Sequence, residues 1–144
     1  MKFVSFSVFA SVSLFALAAS AQDPSAAAGQ EATLAAGFMP DPHTVSITAG
    51  GTNDASSLGA GCVGTVATAP DFRLNWGGGA ATIKFTASAD TTLVINAPDG
   101  SWICADDVNG VNPAVSINAA GQYDVFVGSY DGGLHAGTLE VTEY

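Results

Sequence analysis

From about residue 41 to the C-terminus, apolar and polar residues alternate with a period of two, in short runs punctuated by Gly, Pro, Asn and Asp. Val45 and Ile47 alternate with Thr44, Ser46 and Thr48; Phe72, Leu74 and Trp76 with Asp71, Arg73 and Asn75; Ile83 and Phe85 with Thr82, Lys84 and Thr86. The same spacing recurs in Leu93 and Ile95, Trp102 and Cys104, Val115 and Ile117, Tyr123, Val125 and Val127, and Leu139 and Val141. In a strand this period puts every apolar residue of a run on one face. The pattern therefore predicts about eight short strands, each with one face to bury. No helical stretch long enough to serve as a crossover lies between them, so antiparallel pairing is expected. One-faced strands bury their apolar side most simply against a second sheet, which makes the expected fold all-β, a two-layer antiparallel β-sandwich. Trp76 and Trp102 alternate with the core set and are assigned to packing. Ala97-Pro98-Asp99-Gly100, Asn109-Gly110, Ala120-Gly121, Asp131-Gly132-Gly133 and Trp76-Gly77-Gly78-Gly79 are suited to tight reversal.

The amino-terminal part reads differently. Met1-Lys2 is a short positive start, Phe3 to Ala18 is an unbroken run of apolar and small residues, and Ala19-Ser20-Ala21 is a small-x-small pattern before Gln22. These are the parts of a secretory signal peptide over residues 1–21, with no later segment able to span a bilayer. Its removal leaves 123 of 144 residues and takes away Lys2, so the formal charge of −10 becomes −11. Residues 22–40 are Ala-rich without apolar periodicity and read as a tether to a domain at 41–144. Outside the cytoplasm paired thiols oxidise and persist, so Cys62 and Cys104 are expected to be bridged. Closing the 42-position loop between them is worth about 4 kcal/mol in the chain-entropy model. A metal or redox pair would want C-x-x-C spacing or neighbouring His residues, and neither is present.

Charge narrows the partners. With 13 Asp+Glu against 3 Lys+Arg, the chain has no clustered cations to meet phosphates, which excludes nucleic acid. Mean hydropathy of +0.34 and 48% hydrophobic residues supply enough apolar material to fold rather than stay disordered.

The run Asp90-Thr91-Thr92-Leu93-Val94-Ile95-Asn96-Ala97-Pro98-Asp99-Gly100, followed by Gly121-Gln122-Tyr123-Asp124-Val125-Phe126-Val127, resembles the core of bacterial pre-peptidase C-terminal (PPC-type) domains. Those domains pair an acidic strand start and a P-x-G-type turn with a late G-x-Y-x-V-x-V strand. The resemblance covers roughly Thr44 to Tyr144. It implies a jelly-roll-like β-sandwich, usually appended to secreted hydrolases as a non-catalytic module, related to collagen-binding domains and in some members calcium-dependent. Two departures stand out: no peptidase precedes the module, and Thr92 stands at the second acidic position of the usual D-x-D. Pro40-Asp41-Pro42-His43 and Ala69-Pro70-Asp71-Phe72-Arg73-Leu74-Asn75 are also similar to segments of small stand-alone exported sandwich proteins.

For catalysis, a serine hydrolase needs a nucleophile beside a base and facing an oxyanion hole, signalled by G-x-S-x-G or G-D-S-G-G. Neither occurs. Gly128-Ser129-Tyr130-Asp131-Gly132-Gly133 is the nearest string, and it puts Tyr after the serine and Asp too late. His43 and His135, the only candidate bases, sit beside turn residues and read as solvated. No H-E-x-x-H or third ligand supports zinc.

Acidic oxygens are the remaining chemical signal: Asp90, Asp99, Asp106, Asp107 and Asn109, with Asn112 just beyond. Calcium takes six to eight oxygens from carboxylates, amides and carbonyls on a wrapping loop. Asp106-Asp107-Val108-Asn109-Gly110, with Asp90, is the best local candidate, though neither an EF-hand nor a repeat of the RTX type. The competing reading is a solvated acidic turn that keeps strand edges apart; Asn53-Asp54 is a second, weaker acidic turn. Phe126 and Tyr130 fall on the face opposite Tyr123, Val125 and Val127, and so are candidates for an exposed aromatic pair that stacks a ligand, or else core and rim.

The expectation is an exported, secreted or periplasmic, non-catalytic binding or structural module, accessory to extracellular polymer or peptidase systems. Calcium is the candidate ion, with no other cofactor, and the partner a protein or polysaccharide. The competing readings are a small peptidase-like secreted hydrolase and a carbohydrate-binding module using its aromatics.

Overall fold

The computed structural model describes residues 21–144; the signal peptide expected over 1–21 lies, save its last position, outside the described residues. Eleven strands follow one another: β1 (Gln30–Leu34), β2 (His43–Ala49), β3 (Asn53–Asp54), β4 (Thr65–Val66), β5 (Phe72–Trp76), β6 (Ala81–Ala87), β7 (Thr91–Asn96), β8 (Trp102–Ala105), β9 (Ala114–Ile117), β10 (Gly121–Ser129) and β11 (His135–Thr142), with one 3-10 turn at Ser56–Leu58. They form two sheets. The larger is organised around β10, which carries β7 and then β8 on one side. On its other side β10 carries β5 along residues 121–125 and β4 at Ser129, with β1 beyond β5 and β3 beyond β4. The smaller sheet runs β2-β11-β6-β9. All eight runs identified by alternation are strands, and the fold is an all-β sandwich.

The alternation works as physics requires. Phe72, Leu74 and Trp76, Leu93 and Ile95, and Tyr123, Val125 and Val127 from the larger sheet meet Ile47, Ile83, Phe85, Val115, Ile117, Leu139 and Val141 from the smaller, and all are buried in one core. Gly137 on β11 makes room for it: a Cβ there would come within 2.5 Å of the Phe85 ring.

Three expectations change. Strands number eleven rather than eight, because β3 and β4 are two residues each and β1 shows its period only in Ala32 and Leu34 within an Ala-rich stretch. Pairing is not wholly antiparallel, since β1 runs parallel to β5, Gln30 opposite Phe72 through Leu34 opposite Trp76. Residues 22–40 are not a free tether. Arg73 Nη2 donates to the Pro24 and Ala26 carbonyls at 2.7 and 3.0 Å, Asp23 N–H to the Thr68 carbonyl, and Gly29 N–H to the Pro70 carbonyl. Gln22 is buried, its amide donating to the Asp54 carbonyl. The Ala-rich segment is thus held by backbone bonds, by one guanidinium and by the packing of Ala32, Leu34 and Phe38 against the main core.

The outer face of the larger sheet carries a second, smaller core. Val94 and Phe126 point away from the main core and are covered by the 55–66 excursion, where Ala55, Cys62 and Val66 pack on them with Leu58, Trp102 and Cys104. Cys62 and Cys104 are bridged, as expected from the sequence, pinning the excursion to β8. This cover explains why β7 and β10 are buried on both faces.

Candidate functional site

The strand directions bring several loops to one end of the sandwich. β7 begins at Thr91 opposite Ser129, where β10 finishes; β8 leaves its ladder at Ala105, and β11 starts at His135. The segments 87–91, 105–114 and 129–135 therefore share this loop end.

Asp90, Asp106 and Asp107 converge there, each offering one carboxylate oxygen within 4.8 Å of the others. Asp90 Oδ1 and Asp106 Oδ1 are buried without a hydrogen-bond partner. Burial, then the neighbouring Asp107 and Asp90 charges, push the Asp106 carboxyl above the ordinary carboxylate range. Asn109 stands on the turn of the same loop, its backbone paired with Asn112. Asn112 Oδ1 in turn accepts from Ala87 N–H at 3.0 Å, tying the loop to the end of β6. Of the other acidic positions, Asp99 lies beyond β7 at the far end and accepts from Ser101 N–H and Oγ–H. Asn53 and Asp54 form β3 rather than an open turn, and Asp54 Oδ1 accepts from Ser56 N–H.

Of the two readings of Phe126 and Tyr130, the exposed aromatic pair does not form. Tyr130 is 58% exposed, but Phe126 is 0% exposed and packs on Trp102 with ring centroids 5.7 Å apart. Phe126 is the centre of the second core and cannot stack a ligand; alternation put it correctly on the outer face, but the excursion that covers that face has no period to announce it.

Ser129, Asp131 and His135 meet in the β10–β11 hairpin. Asp131 Oδ1 accepts from Ser129 Oγ–H at 2.7 Å and Gly133 N–H at 2.8 Å, and His135 Nε2 lies 2.8 Å away. These bonds, His135 first, hold the Asp131 carboxyl far below the usual range. His43 is remote, stacked on Phe72.

Two polar features went unnoticed in the sequence. Arg73 Nε pairs with Asp124 at 2.6 Å across β5 and β10, with side chains 15% and 5% exposed. Asp71 Oδ2 accepts from Val127 N–H, and burial raises the Asp71 carboxyl to about 6 despite that bond. The only available signal was an acid in the middle of a buried-strand pattern, at Asp124, with a base on a neighbouring strand.

No helix among the described residues is long and apolar enough to cross a membrane. No family model matches the chain, and no curated protein matches its sequence. Among solved structures, the chain is similar to a periplasmic inhibitor of g-type lysozyme from Aeromonas hydrophila, at 16% identity over 78% of this chain and 96% of that one, with a TM-score of 0.37. It is also similar to the pre-peptidase C-terminal domain of a collagenase from Bacillus anthracis, at 16% identity over 78% of this chain and 94% of that one, with a TM-score of 0.49; this is the domain type that its β7 and β10 residues resemble.

Proposed function

We propose that the chain is an exported, non-catalytic β-sandwich module that works by binding, that the loop end is its binding end, and that calcium held by Asp90, Asp106 and Asp107, with Asn109 on the same loop, steadies that end. The observation that carries this reading is the pair of buried carboxylate oxygens, Asp90 Oδ1 and Asp106 Oδ1, left without donors inside a trio of carboxylates. Buried acceptors without donors cost free energy, and three like charges so close add repulsion. A hard cation with oxygen ligands relieves both. Among the described residues the two strong cations are engaged elsewhere, Arg73 with Asp124 and Lys84 with Glu140.

The ion's part is structural: it would neutralise the trio and hold the 105–114 loop against β7. The partner belongs to an extracellular polymer or peptidase system, and the Cys62–Cys104 bridge together with the amino-terminal pattern supports export to the periplasm or beyond. Catalysis by Ser129 finds no support, because its hydroxyl donates to the Asp131 carboxylate rather than to the His135 ring.

Thermal melting in chelator, calcium and magnesium at matched ionic strength tests the reading. A site binding only the native state adds about 2.7 kcal/mol at one hundred times its Kd. Calcium is expected to raise the melting temperature of the wild type, magnesium much less, and Asp107→Asn to shrink the rise. Equal shifts from both ions would indicate screening of surface charge, and identical curves would leave a solvated acidic turn.

A further inference from the structure

We infer that the loop end docks a basic protein surface, one that presents Lys or Arg beside apolar side chains, on a rim of Val108, Val111, Tyr130 and Leu134 around the acidic trio. This rests on the reading of that end as the binding end, and adds the chemistry of the partner.

Six large apolar side chains are exposed among the described residues, and their placement is uneven. Val108, Val111, Tyr130 and Leu134 all stand on the two long loops of this end; Met39 and Tyr144 lie at the opposite end, after β1 and after β11. The Asp90–Thr91 peptide at the start of β7 joins the two loops. Asp90 C=O accepts from Tyr130 N–H at 3.1 Å, and Thr91 N–H donates to the Val111 carbonyl at 3.2 Å. Tyr130 and Val111 therefore flank β7 on either side, two strand spacings or about 10 Å apart, with Asp90 between them. Grouped apolar exposure of this kind marks an interaction surface.

Charge selects the occupant. The 13 acidic residues of the chain all fall within residues 21–144, whereas Arg73 and Lys84 are the only Lys or Arg there and both are locked in ion pairs. Anionic lipid and nucleic acid are repelled by such a surface, and a neutral glycan gains nothing from it. A basic protein is steered toward it by the negative charge that the chain keeps once the trio holds its ion, and its Lys or Arg side chains gain the Tyr130 ring face.

The test is equilibrium binding of three labelled 12-residue peptides, alternating Arg-Leu, Arg-Ser and Glu-Leu, to the exported protein in calcium at physiological salt, with a soluble neutral glucan as competitor. The Arg-Leu peptide is expected to bind at least about tenfold more tightly than either other peptide, and Tyr130→Ser with Leu134→Ser to remove that advantage. Met39→Ser with Tyr144→Ser should leave it unchanged. Equal binding of Arg-Leu and Arg-Ser, an unaffected rim variant, or displacement by the glucan would overturn the inference. Calcium-dependent melting without peptide binding defeats this inference alone, whereas peptide binding without a calcium shift defeats the ion alone.

Discussion

Asp71 Oδ2 accepts a hydrogen bond from the Val127 backbone N–H at 2.7 Å, so a side chain takes a rung of the larger sheet. It does so in the gap where β5 has ended opposite Val125 and β4 has not yet begun opposite Ser129. Gly50 N–H fills the other half of the gap by donating to the Val127 carbonyl. Without these two, the middle of β10 would carry unpaired backbone groups in a buried strand.

That arrangement makes stability depend on pH in a particular direction. Burial lifts the Asp71 carboxyl from its ordinary value of 3.8 to about 6. Between those values the native state holds the proton more tightly than the unfolded chain, so this group's contribution to stability falls as pH rises through the window. Asp71→Asn keeps an acceptor for Val127 N–H without the charge. The variant is expected to be more stable than wild type at pH above 6, by up to about 3 kcal/mol, and to lose that advantage below the unfolded value. Denaturant unfolding of both proteins across the window checks this, and an unchanged pH profile in the variant would refute it. The comparison also cancels the contribution of Asp106, which is raised in the same sense.

Removing Arg73 should be costly in a way that removing the whole pair is not. Arg73→Met leaves the Asp124 carboxylate buried with only Gln122 as a side-chain donor, a defect typically worth about 3–5 kcal/mol. Asp124→Leu added to it should recover much of the loss. The guanidinium also holds the Pro24 and Ala26 carbonyls, so either Arg73 variant should speed amide hydrogen exchange at Asp23 and Gly29 even where global stability is restored. Unchanged exchange there would mean the 22–29 segment is held without Arg73.

The same residues show what a sequence can disclose. Strands β2 and β5 to β11 are legible because each sets one apolar face against the other sheet, and period two is the direct imprint of that burial. β1 is not, because it is a short edge strand that offers the core only Ala32 and Leu34 beside its pairing to β5, and β3 and β4 are two residues each. The members of the acidic trio were legible as acids beside turns, but not what brings them together: Asp106 and Asp107 are neighbours in the chain, while Asp90 reaches them through the β7–β8 register. Phe126 is the instructive case, its face correctly assigned but its place left open between an exposed pair and the core, since what covers it is a loop fastened by a disulfide.

That fastening suggests a local effect. Cys62→Ala with Cys104→Ala removes a cross-link worth about 4 kcal/mol in the chain-entropy model, and it acts on the second core rather than the main one. The expected outcome is a lower melting temperature together with new exposure of Trp102, read as a red shift in its fluorescence. A variant that melts lower without any Trp102 signal would place the loss in the unfolded state alone.

Ser129, Asp131 and His135 have the composition of a catalytic triad and the wrong order. In a triad the histidine stands between serine and carboxylate and takes the serine's proton. Here Asp131 Oδ1 is the hub, receiving Ser129 Oγ–H, Gly133 N–H and the His135 ring nitrogen. A carboxylate held far below its usual range by those donors is too weak a base to activate a hydroxyl, and Ser129 is fully buried. Wild type and Ser129→Ala are therefore expected to react identically, at background level, with a fluorophosphonate probe; labelling that disappears in Ser129→Ala would overturn this. The constellation's role is to latch the hairpin that carries Tyr130 and Leu134. Because the Asp131 carboxyl is lowered in the fold, its contribution to stability is present above the unfolded value and is lost only as pH falls through the folded one. The latch thus stays closed at neutral and mildly acidic pH. Asp131→Asn should open it, with faster exchange at the Gly133 amide and a lower melting temperature, whereas a variant that leaves Gly133 protected would show that the turn holds without its carboxylate.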